Sequence, residues 1–123
     1  MGMAYVGWTV AEADRLRLLA RFPPAYPQVV AHHVTLAYGV APDRPPPPPA
    51  AGRVVGVSDD GAGVQTLVVA VDGTTARPDG STFHVTWSLA PGRRSVESNA
   101  VIARHGWRPV DPVALALEPY RAP

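Results

Sequence analysis

Residues 42–52 read PDRPPPPPAAG, with five consecutive prolines at 45–49. Each proline fixes φ and lacks an N–H, so the run favours an extended polyproline II path and cannot join a central strand. Ordered structure must therefore be built from residues 1–41 on one side and 53–123 on the other, with the run as a stiff surface connector rather than a partner-docking motif. At 123 residues and 13.0 kDa the chain is long enough for one core and too short for two independent ones, which sets a single domain, 1–123, with a lobe boundary near 42–52.

On the N-terminal side, residues 3–8 (MAYVGW) read as a short strand. Thr9 and Glu12 have the spacing of a capping box, which predicts a helix through about Phe22. Val10, Ala13, Leu16, Leu19 and Ala20 recur at helical spacing and form its expected buried face. PPAYP stops that helix, and VVAHHVTLAY follows as a strand. Beyond the proline run, RVVGVSDDGAGVQTLVVAVDG reads as two strands joined at DDGAG, and TTARPDGS as a loop turning at Asp79-Gly80. A strand at 82–89, the loop APGRR, a segment SVESNAVI of open assignment and a closing strand in PVALALEPY complete the chain. One main helix among about six strands predicts an α+β fold.

Composition removes several chemistries. Cysteine is absent, which excludes disulfides, thiolate metal sites and cysteine nucleophiles. All 11 basic residues are arginine, so there is no P-loop lysine, Schiff-base lysine or lysine for a ligase to adenylate. A net charge of +1 is too small to attract duplex DNA by charge alone. No apolar run is long enough to cross a membrane and no signal peptide is evident, which sets the expectation of a cytoplasmic monomer.

Only four histidines are present, yet His-Val-Thr occurs twice, at 33–35 and 84–86. Random placement of four histidines and seven threonines would give about 0.2 such triplets. Strand residues two apart share a face, so His33 and Thr35 point one way while Val34 and Leu36 point the other; His84 and Thr86 repeat the pattern against Val85 and Trp87. An imidazole exchanges a proton near neutral pH, and a threonine hydroxyl donates to an anionic oxygen. Two such couples around one groove suit in-line attack on a phosphodiester: one imidazole deprotonates the nucleophile and the other protonates the leaving oxygen. No metal or other cofactor is needed, and the four histidines match no compact ligand spacing. His32, one step out of frame, is expected to face away. Arg94, with Arg93, could reach a second phosphate from the loop after the second motif, and Tyr5 could stack a base.

The paired motifs, with the flanks AHHVTLAYG and FHVTWSLAPGRRSVESNAVI, resemble the H-x-T/S signature of the two-histidine (2H) phosphoesterase superfamily. Within it they are similar to the small RNA-ligase-like branch, near the cyclic phosphodiesterase domain of fungal tRNA ligase. The resemblance runs from the N-terminal strand to Trp107. It implies a small bilobed fold with antiparallel sheets around a central groove, catalytic roles for His33, Thr35, His84 and Thr86, and a place at the groove for Ser98 and Asn99. It further implies metal-independent hydrolysis of 2′,3′-cyclic phosphate ends of RNA or nucleotides. The alternative is a non-catalytic module that holds an RNA end or cyclic nucleotide.

Overall fold

The computed structural model describes residues 4–123, so Met3 of the expected first strand lies outside it. Seven strands and two helices follow in the order β1 (Tyr5–Val10), α1 (Glu12–Arg21), β2 (Gln28–Val29), β3 (His33–Tyr38), β4 (Ala50–Asp59), β5 (Val64–Val71), β6 (His84–Leu89), α2 (Glu97–His105) and β7 (Arg108–Ala122). The proline run crosses from β3 to β4 as irregular chain, and the Trp8 indole N–H donates to the Pro48 carbonyl at 2.9 Å, tying the connector to the body.

The expected bilobed α+β architecture is not what forms. All strand pairings are antiparallel, and β6-β3-β1-β7-β4-β5 closes on itself through a β5–β6 pairing, giving a six-stranded barrel with two short helices outside the sheet. The reason lies in the last strand. PVALALEPY is the middle of a fifteen-residue strand, β7, whose C-terminal half pairs with β1 and whose N-terminal part pairs with β4. One strand thus joins the segments on both sides of the proline run, where two lobes would have required separate sheets. Pro109 and Pro119 stand in the ladder opposite Gly56 and Trp8, and a register shift between Val54 and Gly56 leaves Pro112 outside the β4 pairs.

Trp8, Val34, Val54, Leu67, Val69, Val85, Trp87, Leu115 and Leu117 form one buried cluster inside the barrel. Helix α1 differs from its sequence pattern: the Thr9/Glu12 box does not form, because Thr9 is still strand, paired with His33 and Glu118, and Ala11 occupies the cap position. The buried residue of the helix is Leu18, while Leu16 of the expected apolar face is exposed. Leu18 and Phe22 enter the barrel core, and the interior Trp87 indole donates to the Phe22 carbonyl at 2.7 Å, so the helix C-terminus closes an opening of the barrel. The unassigned segment SVESNAVI falls at α2, which packs Ser98, Val101 and Ile102 against the outside of β4 and β5.

Close strand approach depends on Gly7, where the β1–β3 register shifts. A Cβ there would fall within the van der Waals envelope of the Val34 carbonyl oxygen and 2.9 Å from Thr35 Cα, both backbone atoms that cannot move aside. Gly7→Ala is expected to lower unfolding free energy by about 3 kcal/mol or more. Urea unfolding measures it; a loss under about 1 kcal/mol would show that β1 and β3 are not packed this tightly.

Candidate active site

The two His-Val-Thr segments become neighbouring strands. Val34 and Val85 are paired across β3 and β6, and both side chains are buried in the barrel interior. Alternation about this pair puts His33 and Thr35 of one strand, and His84 and Thr86 of the other, on the opposite face. The two rings are near enough for the His84 charge to act on His33. His84, Thr35 and Thr86 are buried and His33 is half-buried, so the site is recessed.

The first strand reaches this position through a distortion. Val29 pairs with Ser88, whereas Val34 pairs with Val85, so four residues (30–33) span the length that two (86–87) cover on β6. The surplus is a bulge at Ala31-His32, with Ala31 fully buried at φ 46°, a conformation uncommon for alanine. The Thr86 carbonyl accepts the Ala31 N–H at 3.0 Å, and the Ala31 carbonyl accepts from Arg15 Nε at 2.9 Å. This bulge overturns the expectation that His32 faces away. Strict alternation fails across it, and His32 Nδ1 lies 3.1 Å from His33 Nδ1, one donating to the other. His33 thereby keeps Nε2 free.

His84 is oriented by a simpler contact. Its Nδ1 lies 2.8 Å from the Thr82 carbonyl oxygen, which can only accept, so Nδ1 carries the proton and Nε2 presents a lone pair. Burial is the first cause that lowers the His84 pKa to about 4, with the Arg77 charge adding to it and the Thr82 bond opposing it. His33 is lowered to about 4 by burial first, then by repulsion from His32, His84 and Arg77. Both imidazoles are neutral at pH 7.

Thr86 Oγ1 shares a 2.8 Å hydrogen bond with Ser98 Oγ, and Ser98 is fully buried on the first turn of α2. Ser98 therefore touches the second motif through Thr86. Asn99 does not join it: its Oδ1 is sealed from solvent without a partner. Arg94 is exposed, and its backbone N–H donates to Glu97 at 2.6 Å. Arg93 is committed elsewhere, to Asp60 at 2.8 Å and Glu97 at 2.9 Å, and pins the β4–β5 turn to α2. Tyr5 stacks on His33 with ring centroids 4.8 Å apart, so one of its faces is already covered. Burial, then the neighbouring Tyr120 and Tyr38, push its pKa up to about 12, so the phenol stays protonated.

Arg77 escaped sequence reasoning. It lies in a loop that reads only as a turn, with nothing local to show that the loop folds back over β6. Yet it is 4% exposed, its Nη2 lies 3.5 Å from His84 Nδ1, and its Nε is buried without a partner. Among the described residues no His, Cys, Asp and Glu cluster forms a metal site. Among the same residues no helix is long and apolar enough to cross a membrane. Comparison with family models, curated proteins and solved structures found no match to this chain.

Histidines held neutral by folding have a stability consequence. Unfolded, each titrates near 6.5; folded, near 4. The unfolded chain thus binds more protons between these values, so the stabilisation is complete above pH 6.5 and is lost as pH falls toward 4, at up to about 1.4 kcal/mol per unit per group. Urea unfolding at pH 7 and pH 5 should show this loss in the wild type and a smaller one in the His33→Asn/His84→Asn double variant. Equal losses would mean that neither ring is desolvated as described.

Proposed function

We propose that the chain is a metal-independent phosphodiesterase of the two-histidine type, acting on 2′,3′-cyclic phosphate ends of RNA or nucleotides. The observation that carries the reading is the β3–β6 pairing at Val34 and Val85: it makes two distant His-Val-Thr segments neighbours, with the histidine and threonine of each on the face opposite the buried valines. The free Nε2 atoms support it as well, since both histidines use Nδ1 for protein contacts.

In this reading water attacks phosphorus in line with the departing ribose oxygen. One imidazole Nε2 takes the water proton as the new P–O bond forms. The other, as imidazolium, gives its proton to the ribose oxygen as the old P–O bond breaks. The product is a phosphomonoester, and the two histidines have exchanged protonation states. Thr35 and Thr86 donate to the non-bridging oxygens, whose charge grows in the transition state. The Thr86 hydroxyl meets Ser98 Oγ at 2.8 Å and donates to the Ser95 carbonyl over a long 3.4 Å; in the complex Ser98 donates to Thr86 Oγ1, and the Thr86 proton turns from that carbonyl to the phosphoryl group.

The acid must acquire its proton despite the low basicity of both rings, and the substrate supplies the means. A phosphate anion between them favours imidazolium, so binding draws a proton into the site. The pH dependence is therefore displaced from the ordinary histidine range. In the free enzyme both groups lie near 4, so kcat/KM should rise as pH is lowered from 7 toward about 4, while the kcat profile sits at higher pH because the bound anion raises the pair.

Hydrolysis of a nucleoside 2′,3′-cyclic phosphate in EDTA is the direct test. His33→Ala and His84→Ala are each expected to lower kcat by about 100-fold or more. A pH-independent rate between 4 and 8 would exclude paired acid and base. Binding without turnover would instead make the domain a module that holds such ends.

A further inference from the structure

The site described above contains a buried cation that no carboxylate of the described residues touches, although the Asp79 charge acts on it through space. Among the described residues, no carboxylate lies within 4 Å of the Arg77 guanidinium, although the side chain is 96% removed from solvent. Asp79, two residues away, spends Oδ1 on the backbone N–H and hydroxyl of Ser81. The one protein acceptor is the Thr82 carbonyl, 3.4 Å from Nη2. The same carbonyl takes the His84 Nδ1 proton, so a single oxygen orients both side chains. His84 Nδ1, itself a donor, cannot accept from Arg77. Of five guanidinium N–H bonds, one is used, and weakly, while the Nε–H is buried and unpaired.

Burying a charge without a counterion is costly, and a buried arginine normally answers it with a carboxylate or a bound anion. The two terminal Nη groups carry donors side by side, a geometry that matches two oxygens of a phosphoryl group, whereas the Nε–H is sealed from solvent. Arg77 also lies close enough to both histidines for its charge to act on each ring.

We propose that Arg77 is the anion receptor of this pocket, its guanidinium edge taking two non-bridging oxygens of a phosphoryl group seated between His33 and His84. Anion binding follows from the unpaired buried guanidinium alone; its contribution to turnover rests on the phosphodiesterase reading. In that reaction the cyclic phosphate enters with one negative charge and passes through a state with two, and Arg77 sits where the second appears. The turn carrying it is closed by backbone bonds, Arg77 N–H to the Ser81 carbonyl and Gly80 N–H to the Arg77 carbonyl, which replacing the side chain leaves in place.

Titration calorimetry of the full chain with inorganic phosphate, at constant ionic strength against a chloride blank, tests this. Wild-type protein should bind one phosphate, Arg77→Met at least about tenfold more weakly, and Arg77→Lys in between, since lysine offers a point charge without the two-donor edge. The melting temperature separates this role from a structural one. Removing an unpaired buried charge should leave Arg77→Met as stable as wild type or more so, whereas a side chain that merely props the loop would lower it. Arg77→Met with unchanged phosphate affinity, or wild-type protein that binds no phosphate, overturns the proposal. Arg77-dependent phosphate binding without hydrolysis upholds it while removing the phosphodiesterase reading. Hydrolysis unaffected by Arg77→Met does the reverse.

Discussion

One paired residue couple, Val34 with Val85, links the two motif strands, and the site depends on it. Both valines are buried inside the barrel, so hydrophobic burial sets which way each strand faces. A slip of one residue on either side would turn its histidine and threonine inward and expose a valine. Few cross-strand contacts are needed for this, because β3 is held from its other side by β1, and β6 by β5. The closed barrel supplies the rigidity that the seam itself lacks.

The electrostatics follow from that placement. Two imidazoles and a guanidinium share a recessed patch that no carboxylate of the described residues touches; burial lowers the basicity of both rings most, the Arg77 charge adds to it at each, and His84 adds to it at His33. An anion entering such a site relieves the repulsion among its positive groups. The relief offsets part of the cost of desolvating the anion and the cost of protonating a histidine. Neutral rings at rest and an imidazolium in the complex are thus two states of one charge balance.

Much of the local structure was legible in the sequence. The proline run is a connector, DDGAG joins two strands, and the His-Val-Thr segments are strands with their valines inward. Where reading failed, a distant contact had overruled a local pattern. Thr9 has capping-box spacing with Glu12, but ladder bonds to β3 and β7 keep it extended. Leu16 fits an apolar helical face, yet the barrel opening receives Leu18 and Phe22. His32 is out of frame with His33 on a regular strand, and only the bulge at Ala31, formed against Thr86, brings the two rings together.

What the amino-acid sequence settled by itself was the phase of each motif, because period-two alternation is a property of the local backbone and of which side chains water rejects. It also settled the absence of lysine and cysteine chemistry. Tertiary structure alone decided that β7 would bridge both halves into a barrel, that the motif strands would be neighbours, and that Arg77 would lie beside His84. Those outcomes depend on pairings between residues tens of positions apart. No local propensity encodes such pairings, since they are selected by how much apolar surface the whole chain can bury at once.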